Sequence, residues 1–159
     1  MAKESSSRKR DRYASQDMTP QQAGAVPYRW EQGKLQICLI TTRRNRDKWI
    51  IPKGLIERGD TPDQTALKEA HEEAGLVGRL IPEPLGQYQY KKLGRWLSVQ
   101  VYAMEVHESH ERWAEVKHRR RCWVEAQQAL EMVSTAQLKP IVIAALARIL
   151  ASPAAQGEG

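Results

Sequence analysis

Apolar and polar positions alternate with a period of two through several parts of this chain and with a period of about 3.6 in others. Leu35, Ile37, Leu39 and Thr41 interleave with Gln36, Cys38 and Ile40. That pattern predicts a strand over residues 34–42 that is covered on both faces. Residues 23–29 read as its partner, with Glu31, Gln32 and Gly33 as the turn between them. Residues 78–90 and 95–106 predict two further strands joined by a basic turn, Lys91, Lys92, Leu93 and Gly94. Cys122, Trp123 and Val124 form a short strand, and residues 125–132 and 139–151 predict helices, the second with Pro140 in its first turn. No internal repeat is present.

The segment with the clearest punctuation lies between the first two strands and the last three. Asp60 or Thr61 can cap a helix, Pro62 suits its first position, and Gly75 can close it. Ala66, Leu67, Ala70 and Ala74 then share one face, fit to pack on a sheet. Glu69, Glu72 and Glu73 share a neighbouring arc, with Glu69 and Glu73 one turn apart so that their carboxylates can converge. A solvated acidic face is the ordinary explanation for adjacent glutamates. A hard divalent cation is the sharper one, because Mg²⁺ takes oxygen ligands and keeps waters and substrate phosphates beside them. The preceding loop favours the cation: Pro52, Gly54 and Gly59 give a bent backbone that can approach an ion closely.

Gly54, Asp60 and the run Lys68-Glu69-Ala70-His71-Glu72-Glu73-Ala74-Gly75-Leu76 resemble the Nudix box of the Nudix hydrolases. The resemblance implies an α/β fold, an α/β/α sandwich with a central mixed sheet. It also implies Mg²⁺, or Mn²⁺ in its place, held by Glu69, Glu73 and Glu72 with the backbone carbonyls of Lys53 and Gly54. Glu69, Glu72 and Glu73 would be the catalytic set, with Glu72 the general base. Asp60 stands where the box usually has Glu, Lys68 where it has Arg, and Ala70 where a larger aliphatic is common. Opposite charges at Asp60 and Lys68 would allow an ion pair without the planar fork of Arg. Beyond the box, residues 23–150 are similar in order and spacing to the diphosphoinositol polyphosphate phosphohydrolase branch, which also cleaves diadenosine polyphosphates. By that likeness Arg44, Arg95, Arg119 and Lys139 would meet substrate phosphates, and Lys53 is expected as a further substrate contact. Gln21 and Gln22 stand where the branch carries a basic cluster. The Trp49 to Gly54 run also resembles diadenosine polyphosphate hydrolases. Alternatives are a nucleoside triphosphate or RNA 5′-end pyrophosphohydrolase, and a Nudix-fold module that binds ligand or RNA without cleaving it.

Composition adds limits. The 159 residues suit one domain over residues 21–151, with a disordered basic arm over residues 1–20 and a frayed tail over residues 152–159. The net charge of +6 favours an anionic partner, here a polyphosphorylated small molecule ahead of nucleic acid. Arg8, Lys9, Arg10 and Arg12 read as a solvated run in the arm. Phe is absent, so Trp and Tyr must supply core aromatics. Cys38 and Cys122 read as free thiols in a cytoplasmic protein. No membrane span or secretory signal is evident, and His107, Glu108 and His110 lack the four-residue spacing of a helical zinc pair.

Overall fold

The computed structural model describes residues 19–152; the basic arm up to residue 18 and the tail from residue 153 lie outside them. Eight strands form one mixed sheet. They are β1 (Gln22–Glu31), β2 (Lys34–Thr41), β3 (Trp49–Ile50), β4 (Lys53–Leu55), β5 (Leu76–Leu80), β6 (Gly86–Lys92), β7 (Arg95–Ser109) and β8 (Arg121–Glu125). Helix α1 (Pro62–Ala74) covers one face, and α2 (Ala126–Met132) and α3 (Leu138–Leu150) cover the other. The sandwich expected from the sequence is therefore present.

β1 runs parallel to β7 from Gln22↔Val99 to Tyr28↔Glu105. It pairs antiparallel with β2 at its far end and with β4 at its start. The gap where β1 and β2 part is filled by β3 and β4, which brings the 52–55 backbone beneath α1. β2 keeps its outer edge for β8. Its period-two pattern sorts cleanly: Ile37 and Leu39 enter the core under α2 and α3, while Cys38 and Ile40 pack with Ala70, Ala74 and Met104 beneath α1.

One predicted strand is divided. Residues 78–90 do not run through, because Pro82 and Pro84 interrupt the ladder between β5 and β6. The two pieces pair with different ends of the long β7. The aromatic expectation also changes. Tyr28 and Tyr88 are buried, but the tryptophans sit at the rim, several of them under cations: Arg29 over Trp123 at 4.0 Å, Arg121 over Trp113 at 4.2 Å and Arg120 over Trp49 at 5.1 Å. Not every polar tip finds a partner, since the Tyr88 hydroxyl and Trp123 Nε1 have none. Cys38 and Cys122 are free thiols on opposite sides of the sheet. No helix among the described residues is long and apolar enough to cross a membrane.

Candidate active site

Helix α1 is fixed at both ends. Thr61 is the cap: its hydroxyl accepts from the Gln64 amide while the Gln64 side chain accepts from the Thr61 amide, and Pro62 opens the first turn. At the far end Gly75 adopts φ 69°, the left-handed geometry that closes a helix. The last carbonyls, which a helix leaves unpaired, are then taken up by one loop, residues 110–120, and the first residue of β8. Glu115 donates its amide to Glu72 O at 3.2 Å and His110 its amide to Gly75 O at 2.9 Å. Trp113 Nε1 donates to Glu73 O at 2.9 Å, and Arg121 Nη1 to Ala74 O at 2.7 Å. A guanidinium at this pole also complements the helix dipole.

The acidic arc of α1 faces the 52–55 backbone. Glu73 is 6% exposed. Its Oε1 accepts the Lys53 amide at 2.8 Å, and its Oε2 meets Arg119 Nη2 at 2.5 Å. Burial pushes its carboxyl up to about 7, against the pull of Arg119 and of the Lys53 amide. Glu69 lies over Gly54 so closely that a Cβ there would stand 2.3 Å from the Glu69 carboxyl carbon. Glycine at 54 is thus the space in which the carboxylate rests. Burial, then the charge of Glu72, raises the Glu69 carboxyl above the usual range. Glu72 is half-buried, and its side chain makes no hydrogen bond or ion pair among the described residues.

Lys53, Gly54, Glu69 and Glu73 are brought together as the sequence implies, with Glu72 alongside. The five cationic assignments fare unequally. The Lys53 ammonium reaches Tyr90 Oη at 3.1 Å. Arg119 is turned inward: besides Glu73, its guanidinium donates to Thr41 O and Glu115 Oε1, each at 2.9 Å. In this state it supports the cluster from below. Arg44, Arg95 and Lys139 are exposed on separate elements, and none makes a side-chain hydrogen bond or ion pair among the described residues. The pair imagined between Asp60 and Lys68 does not form, because Lys68 Nζ instead meets Glu57 Oε2 at 3.3 Å.

Glu115 is a member of the candidate site that the sequence reading did not include. Its carboxylate binds Arg119, lies 3.9 Å from Arg43 Nε, and raises the carboxyls of both Glu69 and Glu73. Periodicity could not reveal it, since it lies in a charged loop with neither a two-residue nor a helical repeat. Among the described residues no three His, Cys, Asp or Glu side chains, Glu69, Glu72 and Glu73 included, are arranged to hold an ion together.

A mixed sheet between helices, with glutamates of one helix laid over a glycine-containing strand, defines a family. Residues 18–145 match the NUDIX domain, and the chain belongs to that family. Among curated relatives it is 31% identical over 124 residues to Nudix hydrolase 21, chloroplastic, of Arabidopsis thaliana, covering 75% of this chain and 62% of that protein. It is 30% identical over 100 residues to diphosphoinositol polyphosphate phosphohydrolase 3-alpha of Mus musculus, covering 62% of this chain and 60% of that one. The chain thus spans about three fifths of the length of these relatives. The crystal structure of a C. elegans Ap4A hydrolase shares the fold with a TM-score of 0.69 at 21% identity, covering 83% of this chain and 99% of that one.

Proposed function

We propose that this domain is a divalent-metal-dependent pyrophosphohydrolase that cleaves a phosphoanhydride bond by attack of water. Its substrate would be a diphosphoinositol polyphosphate or a diadenosine polyphosphate. The observation that carries this reading is the seating of Glu69 over Gly54 beside Glu73, itself fixed by the Lys53 amide. Nothing in the packing of a solvated helix face would require that arrangement. The names of the relatives support the substrate classes, and chloroplastic and mitochondrial relatives set those compartments beside the cytoplasm.

The donor set fits a hard cation. Mg²⁺ needs only one or two carboxylates and keeps waters elsewhere, so an open pair suits it better than a closed cage would. Glu69 and Glu73 would hold it, with Glu72 and the Lys53 and Gly54 carbonyls at its margin. When bound, such an ion neutralises the polyphosphate and lowers the pKa of a bound water. The chain's own groups do the rest. Glu72, whose carboxylate has no committed partner, takes the proton of the attacking water. Lys53 and the exposed Arg44 clamp non-bridging oxygens and steady the leaving phosphate, with Arg95 and Lys139 as outer contacts. Arg119 favours the charged form of Glu73 against its burial and holds it in place.

A panel of diadenosine polyphosphates, diphosphoinositol phosphates, nucleoside triphosphates and 5′-triphosphorylated RNA, each with Mg²⁺ and with chelator, tests the reading. Turnover of either of the first two classes that disappears with chelator is expected. Preference for the triphosphates or RNA ends would move the substrate class. Ligand binding with no hydrolysis at saturating Mg²⁺ would make the domain a binding module and overturn the activity.

A further inference from the structure

We propose that Tyr90 and Gln22 form a positioning relay that fixes the Lys53 ammonium in advance as the phosphate clamp, a proposal that rests on the function above. Three strands supply the parts. Lys53 lies on β4, and its backbone amide is already committed to Glu73. Directly across the ladder is Gly24 of β1, where a Cβ would lie 2.8 Å from Lys53 Cβ. The missing side chain leaves a path along the sheet for the lysine stem. At its end the ammonium donates to Tyr90 Oη at 3.1 Å and lies 4.4 Å from the centre of that ring.

The direction of the hydrogen bonds makes this a relay. A phenol has one proton to give. Tyr90 gives it to Gln22 Oε1 at 2.9 Å, so toward Lys53 its oxygen can only accept. Gln22 is 5% exposed, which leaves that acceptor little competition from water. An amide here also has a specific advantage over a cation, which could not accept the proton and would repel Lys53. The neutral residue at this position thus orients a cation from its neighbour. A free lysine spreads over many rotamers; this one is held by Tyr90 before substrate arrives, so less ordering remains for the binding step.

The test uses Tyr90→Phe, Gln22→Met, Lys53→Met and the double variant Lys53→Met with Tyr90→Phe. Steady-state kinetics on the substrate that the wild type turns over is paired with calorimetric binding of inorganic tripolyphosphate in Mg²⁺. Tyr90→Phe and Gln22→Met are each expected to raise KM and the tripolyphosphate Kd about fivefold, with kcat within about twofold, as loss of one pre-ordered long side chain implies. In the Lys53→Met background, Tyr90→Phe should add less than about twofold, because its effect passes through the lysine. Wild-type affinity in Tyr90→Phe would overturn the relay, as would an equal loss in the Lys53→Met background. If no substrate is cleaved but tripolyphosphate binding follows this pattern, the relay stands and the hydrolytic reading fails. If the wild type does not bind tripolyphosphate, the clamp itself is refuted.

Discussion

At the scale of single residues, Glu69 and Glu73 are held by different means and should respond differently to substitution. Glu69 is half-buried without a cation paired to it, so its charge costs stability in the absence of metal. Glu69→Gln should therefore leave the chelated protein as stable as the wild type or slightly more so, while turnover falls at least about a hundredfold. Chemical denaturation beside a rate assay checks both halves. Gly54→Ala should give a similar loss of activity by a steric route. The added Cβ displaces the Glu69 carboxylate, the far end of a flexible side chain, so the fold should change by less than about 1 kcal/mol. Glu73 differs because it is paired with Arg119. In Glu73→Gln the guanidinium keeps Glu115 Oε1 and Thr41 O, and the amide oxygen can still accept from it. Because burial already favours the neutral carboxyl, the unfolding cost should stay below about 1 kcal/mol. The pH dependence follows from the raised carboxyl. The folded state holds the Glu73 proton up to about pH 7, against an ordinary value of 4.5 in the unfolded chain. Stability of the metal-free protein from this group is therefore fully present below the unfolded value. It is lost as pH rises toward about 7. Urea unfolding in chelator across that window should show the decline, and Glu73→Gln should flatten it.

At the scale of elements, the site depends on how α1 is tied down at its ends. Loss of the cap in Thr61→Ala should cost about 1 kcal/mol. Arg121→Ala should cost about 2 kcal/mol, since the guanidinium serves both Ala74 O and His110 O and closes the loop that carries Glu115. Thermal unfolding of both variants measures this, and Arg121→Ala should also slow turnover through Glu72 and Glu73. Much of this element was legible in the sequence. Thr61, Pro62 and Gly75 are local signals, and the spacing of Glu69 and Glu73 is a property of any helix. The loop that closes the far end was not legible, because Trp113, Glu115 and Arg121 act on carbonyls some forty residues earlier in the chain. Local patterns carry no information about such partners. Nor could Lys68 be matched to Glu57 in place of Asp60, a choice between two nearby exposed acids that only the path of the 56–60 loop decides.

At the scale of the whole molecule, the opening between β1 and β2 is what assembles the candidate site. It admits β3 and β4, whose backbone supplies an amide to Glu73 and a bare surface to Glu69, while α1 lies across the sheet above them. The alternation of β2 foretold a strand buried on both sides. It did not foretell that β1 would diverge from it, because that depends on pairing with β7 far along the chain. The cations follow the same logic. Arg119 was expected from the resemblance to meet substrate phosphates, and its direction here, inward to Glu73 and Thr41, is set by the fold. The measurement that bears most directly on the account is phosphoanhydride hydrolysis followed by ³¹P NMR at saturating Mg²⁺. Wild type and Glu69→Gln would be compared on diadenosine tetraphosphate and a diphosphoinositol phosphate. The expected result is cleavage of at least one of them by the wild type, with the variant at about one hundredth of that rate or less. Equal rates in the two proteins, or a wild type inert toward both substrates, would contradict it.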